Sequence, residues 1–166
     1  DVYIADWTDD TSSDVRDRLC EENDLNPKLV YYDTMLHTVG QCDNYIYKLL
    51  AVLKHSNRRK IFFGPSRLRG VDDMLNITTH VEVPVVDAFQ YYTEFTNWLE
   101  DNVSDNDIFI FASGMMSKVL IRDVRRINNN TTCIDMGSSF DPIFYRQTRL
   151  KQIPTMQLRQ FYRDLL

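Results

Sequence analysis

Three segments of the sequence end an apolar run in glycine and serine. They are KIFFGPSR, with Gly64, Ser66 and Arg67; DIFIFASGMMSK, with Ser113, Gly114 and Lys118; and TTCIDMGSS, with Gly137, Ser138 and Ser139. Glycine lets a ligand approach the backbone closely, hydroxyls donate to oxygens, and a helix that begins there presents N–H groups to an anion. The arginine and the lysine add charged donors. Together these residue types predict a diphosphate site, although each segment alone is also ordinary turn chemistry.

Carboxylates accompany the third segment. Asp135 lies within its apolar run and Asp141 follows the Gly-Ser-Ser turn. Such a pair is able to hold a divalent cation, Mg²⁺ or Mn²⁺, that bridges phosphate oxygens, or one carboxylate can deprotonate an acceptor hydroxyl. The competing interpretation is that Asp135 caps the turn and Asp141 begins the next one. Asp6, Asp9 and Asp10 are further candidates for the metal or the base.

Other catalytic patterns are missing from the sequence. It contains neither G-x-G-x-x-G nor G-x-x-x-x-G-K-[ST], which argues against nicotinamide-dependent enzymes and P-loop ATPases. His37, His55 and His80 are not spaced as a ligand set, and a solvated or capping role is expected for His55 and His80.

Strand-like and helix-like patterns alternate along the chain and set the positions of these residues. Strands are predicted at 2–6, 28–33, 60–64, 80–86, 107–113 and 131–137, and helices at 10–23, 43–56, 87–102, 114–127 and 154–166. The alternation predicts an α/β, Rossmann-like fold with a mostly parallel sheet of about six strands and helices on both faces. The three glycine segments would then meet at the carboxyl edge of the sheet, where such folds bind ligands.

Length and charge limit the remaining classes of protein. The 166 residues predict one domain over 1–166, and the absence of an initial Met fits a domain cut from a longer polypeptide, whose other domains would be partners. A net charge of −5 argues against general nucleic-acid binding, and no apolar run is long enough for a membrane span. Residues 114–166 carry 9 Lys/Arg against 4 Asp/Glu, which suits a small anionic ligand. Three scattered cysteines predict reduced thiols and a cytoplasmic location.

The order of four segments resembles the GT-D-type glycosyltransferases, bacterial enzymes that use nucleotide-sugar donors. The segments are SRLRGVDDM (66–74), VPVVDAF (83–89), DIFIFASGMMSKVLIRDV (107–124) and TCIDMGSSFDP (132–142), and the match covers roughly residues 60–145. No single motif is specific, so the resemblance depends on their order and spacing. Ser138 stands where the family has His, Asp87 stands where Asn is usual, and the acidic N-terminal motif of the family is not found.

The resemblance implies a transferase that moves a sugar from a donor such as a UDP-sugar to a glycan acceptor. Arg67 and the 64–70 loop would lie near the donor diphosphate, Asp87 and Phe89 near the nucleoside, and Ser113 and Gly114 around phosphate. Asp135 and Gly137 with the following turn would close the site. The base that takes the acceptor proton is predicted to be Asp141, with Asp6 second.

Two other functions fit the same pattern. An S-adenosylmethionine-dependent methyltransferase also uses a parallel sheet with glycine at strand ends, although it usually carries its glycine-rich turn after the first strand, where this chain has ADWTDD. A non-catalytic nucleotide-binding module, with the acids serving only as turn residues, is the third.

Overall fold

The computed structural model of the chain describes residues 3–5, 21, 28–30 and 45–144. Two compact units divide the chain, Asp1–Ile46 and Tyr47–Leu166. Apart from Glu21, the predicted helices at 10–23 and 154–166 lie outside the described residues, as do Asp6, Asp9 and Asp10. The extent of the predicted single domain, 1–166, stays a prediction.

In the first unit, strands β1 (Tyr3–Ala5) and β2 (Lys28–Val30) form a parallel pair in which Tyr3 lies opposite Lys28. These strands fall within the segments that the sequence predicts as extended. Among the described residues, β1 and β2 pair only with each other.

In the second unit, four strands form an all-parallel sheet in the order β4-β3-β5-β6. They are β3 (Lys60–Gly64), β4 (Thr79–Glu82), β5 (Ile108–Phe111) and β6 (Thr132–Asp135). The unit is an α/β domain consistent with a Rossmann-like fold. The parallel sheet is confirmed, but the described strands divide into a sheet of four and a separate pair of two, where about six strands in a mostly parallel sheet were predicted.

The helices of the described residues are α1 (Tyr45–His55), α2 (Gly70–Leu75), α3 (Tyr92–Asn102), α4 (Met115–Ile127) and the short α5 (Asp141–Phe144). Turns of 3-10 helix cover Ser66–Leu68 and Ala88–Tyr91. None of the helices in this part of the chain is long and apolar enough to cross a membrane.

Helices cover both faces of the sheet. On one face, Ile61 and Phe63 of β3 and Phe109 and Phe111 of β5 pack with buried side chains of the two long helices, namely Phe95 and Leu99 of α3 and Met116, Leu120 and Val124 of α4. Phe62 points to the opposite face because side chains alternate along a strand. His80 is its partner in the β3–β4 register and hydrogen bonds to Asp72 of α2, so α2 lies on that opposite face.

Two boundaries differ from the sequence prediction for local reasons. The strand predicted at 80–86 ends at Glu82, because the chain bends at Val85 and Val86 after a last bond to β3 from the Val83 N–H to the Gly64 carbonyl at 3.0 Å. The helix predicted from 87 begins at Tyr92, since Asp87 adopts a left-handed conformation (φ 53°) and a 3-10 turn follows. Helix α2 was not predicted, although Val71 and Leu75 have helical spacing and Asn76 at its end is left-handed (φ 55°), as helix ends often are.

Candidate functional site

The register of the sheet brings the three glycine segments to one edge. Phe63 of β3 lies opposite Phe111 of β5, which lies opposite Asp135 of β6. Backbone bonds continue this pairing past the strand ends, from the Ala112 N–H to the Phe63 carbonyl at 2.8 Å and from the Met136 N–H to the Phe111 carbonyl at 2.8 Å. The turns that contain Gly64, Gly114 and Gly137 therefore leave the same carboxyl edge.

The topology reverses between β3 and β5. From β3 the chain moves through α2 to β4 on one side, whereas from β5 it moves through α4 to β6 on the other side. In open α/β sheets a crevice opens outside the carboxyl ends of the two strands at such a reversal, and ligands bind there. The loops at this position are the 64–69 segment after β3 and the 112–114 segment after β5.

The turn after β5 begins the longest helix of the described residues. Gly114 has φ 60° and ψ −135°, a conformation that glycine adopts readily, and a Cβ added there would meet no atom within 4 Å. Ser117 is fully buried, and its Oγ accepts from the Ser113 N–H at 3.2 Å and lies 3.0 Å from the Ser113 Oγ. The two serines thus fix the turn, and the first N–H groups of the 13-residue helix α4 face the carboxyl edge.

The turn after β3 presents Ser66 and Arg67. Both residues are exposed, and the 3-10 turn that holds them is closed by the bond from the Leu68 N–H to the Pro65 carbonyl at 2.8 Å. A Cβ at Gly64 would lie 2.5 Å from Cζ of Phe62, whose ring is buried, so only glycine fits at this strand end. The missing side chain at Gly64 therefore leaves the space that the Phe62 ring occupies.

The turn after β6 reaches across to the turn after β3. Helix α5, which begins at the half-buried Asp141, contacts the Ser66–Leu68 turn. Phe140 just before it is buried, and its ring lies 5.8 Å from that of Phe62. The structure therefore brings the candidate base, Asp141, to the same part of the edge as the turn that carries Arg67.

Asp135 is held by two groups of the protein. One carboxylate oxygen accepts from the Gly137 N–H at 2.9 Å, and the other forms an ion pair with the ammonium of Lys118 from α4. The Asp135 side chain is 17% exposed and that of Lys118 is 63% exposed. This geometry fits the interpretation of Asp135 as a turn cap, and a catalytic or metal-binding role would require the ion pair to open.

The other predicted residues of the third segment differ in exposure. Gly137 (φ 49°) and Ser138 are exposed, whereas Ser139 is only 3% exposed and its hydroxyl donates to the Met136 carbonyl within the turn. Among residues 45–144, no group of three His, Cys, Asp or Glu side chains could hold a metal ion. The described residues thus supply no complete donor set for the predicted Mg²⁺ or Mn²⁺.

The segment predicted near a nucleoside follows β4 at the same edge. Asp87 is exposed, and Phe89 is 56% exposed in the 3-10 turn. Val85 and Val86 before it are also exposed, at 64% and 71%. Sequence reasoning placed the two valines in a strand and did not anticipate an exposed apolar segment.

A hydrogen bond between Tyr92 of α3 and the buried Asp123 of α4 links the two helices. The Tyr92 hydroxyl donates to the buried Asp123 carboxylate at 2.7 Å, and Arg122 binds the other carboxylate oxygen from Nη2 at 2.8 Å and from Nε at 3.0 Å. The hydrogen bond to Asp123 raises the pKa of Tyr92. These contacts hold the helix whose first turn faces the candidate site.

His80 is the residue of this region that sequence reasoning missed. Its side chain is 4% exposed, so of the predicted solvated or capping role the solvated alternative is wrong. Nδ1 lies 2.9 Å from both carboxylate oxygens of Asp72, and Nε2 lies 3.0 Å from the Gly64 carbonyl oxygen. The position of His80 beside the apolar Val81 in β4 was the one sequence signal for a buried side chain. The polar residues Thr79 and Glu82 obscured that signal.

Comparisons of the chain with protein-family models, with curated proteins and with solved structures find no match. The resemblance to GT-D-type glycosyltransferases therefore stays a prediction from the motifs.

Proposed function

We propose that the chain transfers a sugar from a nucleoside-diphosphate sugar, such as a UDP-sugar, to a hydroxyl of a glycan acceptor. The observation that carries the proposal is the meeting of three turns at one edge of a parallel sheet. The Arg67 turn and the start of α4 flank the point where the topology reverses, and α5 brings Asp141 to the Arg67 turn. An anion-binding group and a candidate base thus share the position where this class of fold binds ligands.

The reaction breaks the bond between the anomeric carbon and the diphosphate oxygen and forms a bond from that carbon to the acceptor oxygen. The acceptor hydroxyl loses its proton to a carboxylate, for which Asp141 is the candidate among the described residues. The bond electrons leave with the diphosphate, so negative charge develops on its oxygen. Arg67, Lys118 and the first N–H groups of α4 would stabilise that charge as it forms.

Lys118 reaches the diphosphate in this scheme only if it exchanges Asp135 for a phosphate oxygen. The free-energy cost of that exchange is small because Lys118 is 63% exposed, and exposed ion pairs stabilise folded proteins by about 0–1 kcal/mol. Because the described donors form no complete metal site, every step above uses side chains and backbone N–H groups alone.

A specific observation favours a second candidate, a non-catalytic nucleotide-binding module. Both oxygens of Asp135 bond within the protein, as they would if the acid served only the turn. In such a module the same loops would bind a nucleotide diphosphate with no acceptor beside it.

Thermal unfolding with added ligands tests the proposal. If UDP binds only the folded chain, UDP at about 100 times its Kd stabilises it by about 2.7 kcal/mol. For a chain of this length that raises Tm by roughly 5–10 °C. Arg67→Ala should remove most of the rise. Arg126→Ala is the matched control, since Arg126 is an exposed arginine in the last turn of α4, away from the carboxyl edge.

The outcomes separate the candidate functions. Stabilisation by UDP that is lost in Arg67→Ala, with release of UDP from a UDP-sugar when an acceptor glycan is added, supports the transferase. The same stabilisation without turnover of any UDP-sugar supports the module. A response to S-adenosylmethionine alone indicates a methyltransferase, and a chain that UDP does not stabilise contradicts the proposal.

A further inference from the structure

A single buried histidine contacts both ends of the segment that carries Arg67. His80 Nε2 faces the carbonyl oxygen of Gly64, where β3 ends, and Nδ1 faces the carboxylate of Asp72 in the first turn of α2. The 64–72 segment leaves the sheet at Gly64, where the first contact lies, and reaches the second contact at Asp72. His80, the Gly64 carbonyl and Asp72 are called here the His80 clasp.

Both groups that face the ring are acceptors. A carbonyl oxygen has no proton to give, and an ionised carboxylate likewise only accepts. A neutral imidazole carries one N–H, which would leave the other nitrogen with its lone pair toward an oxygen about 3 Å away. The ring therefore contacts both ends of the segment, and which nitrogen donates depends on the tautomer.

The surroundings hold the ring in this position. The imidazole ring is nearly perpendicular to the ring of Phe62, at 77°, with the two centroids 4.9 Å apart. Phe62 is fully buried. The Gly64 carbonyl also accepts from the Val83 N–H at 3.0 Å. On the surface, Glu82 of β4 and Arg69 of the 64–72 segment pair with each other at 3.5 Å.

We propose that His80 is a positioning residue that fixes the 64–72 segment, and with it Arg67, by contacting the Gly64 carbonyl at one end and the Asp72 carboxylate at the other. The clasp itself follows from the contacts above. Its role in ligand binding rests on the proposed function, because Arg67 matters only if the segment binds a donor diphosphate.

Amide hydrogen exchange of the full chain tests the clasp without a ligand. His80→Gln replaces the two ring nitrogens by one amide nitrogen and an acceptor oxygen, and His80→Phe keeps a ring with no polar atom. We expect the amides of Leu68 and Arg69, which close the 3-10 turn, to exchange at least about tenfold faster in either variant, the factor for one hydrogen bond to a charged group. Asp72→Asn, which keeps the ring, should loosen the same amides to a smaller extent.

Tyr92→Phe is the matched control, because it also deletes one hydrogen bond to a carboxylate but lies between α3 and α4. It should leave the Leu68 and Arg69 amides unchanged. Unchanged exchange of these amides in both His80 variants, or equal acceleration in Tyr92→Phe, overturns the clasp.

A ligand arm distinguishes failure of the clasp from failure of the proposed function. If UDP stabilises the wild-type chain but its apparent Kd is unchanged in His80→Gln, the positioning role is wrong and the transferase proposal stands. If UDP does not bind the wild-type chain while the exchange results are as expected, the clasp stands and the transferase proposal fails.

Discussion

Replacing Asp135 by asparagine or alanine separates its two contacts. Asparagine keeps an oxygen that can accept from the Gly137 N–H and loses the charge that pairs with Lys118, whereas alanine loses both. Lys118→Met removes the ion pair from the other side and leaves the turn intact. The three variants together measure how much each contact stabilises the fold.

The expected magnitudes follow from exposure. Because Lys118 is 63% exposed, the ion pair contributes about 0–1 kcal/mol, so Asp135→Asn and Lys118→Met should each lower Tm by roughly 0–4 °C. Asp135 is 17% exposed, and its bond to the Gly137 N–H is a charge-assisted one in the wild type. Deleting such a bond costs about 1.5–3 kcal/mol, so Asp135→Ala should lower Tm by roughly 3–12 °C.

Calorimetric melting curves of the three variants and the wild type provide the measurement. The order expected is a small and similar loss for Asp135→Asn and Lys118→Met and a larger loss for Asp135→Ala. If Asp135→Asn loses as much as Asp135→Ala, the bond to Gly137 is not what Asp135 contributes. The turn-cap interpretation would then be refuted, and the charge of Asp135 would have to serve something else, such as a ligand.

Two further predictions concern the backbone of the turn after β5 and the thiol of Cys133. Gly114→Ala should destabilise the chain by about 2–3 kcal/mol, because φ 60° and ψ −135° lie outside the left-handed region that alanine can occupy, although a Cβ there would meet open space; unchanged stability in chemical denaturation would contradict this. Burial raises the pKa of the Cys133 thiol from 9.0 to about 11. The stability that the protonated thiol contributes to the fold is therefore complete below pH 9 and is lost as the pH rises through about 11. At pH 8 the native thiol should react with iodoacetamide about 100-fold more slowly than in the unfolded chain, as measured by peptide mapping of Cys133, and equal rates would show that the thiol is not buried.

The strands of the second unit were predictable because their composition reports how they are covered. The apolar run of β5 has no polar alternation, as expected of a strand with helices over both faces, and all four of its residues are buried. The strand β4 lies at the end of the four-stranded sheet and its residues are partly buried or exposed, so its composition indicates less clearly where it ends. The edge to which the glycines converge followed from parallel pairing alone.

The contacts at that edge were not predictable in the same way. Sequence reasoning assigned Gly64 to ligand approach, yet its lack of a side chain also makes room for the Phe62 ring, a contact between residues two apart that depends on the rotamer of a buried phenylalanine. It left open whether Asp135 caps a turn or binds a cation, because the answer depends on whether Lys118 of a neighbouring helix reaches it. Each of these required distances between elements that periodicity does not contain.

His80 shows most clearly what tertiary structure adds. A lone histidine near the start of a strand has no partner within the helical or strand spacing of its own segment, since Asp72 lies eight positions earlier, on another element. Only the packing of α2 on the Phe62 face brings the carboxylate to one ring nitrogen, and only the parallel register brings the Gly64 carbonyl to the other. If exchange measurements bear out the clasp, the orientation of Arg67 depends on a buried side chain that makes no contact with a ligand, so substitutions at His80 and at Arg67 should be coupled in UDP affinity. Additive losses in the double variant would show instead that the two residues act independently.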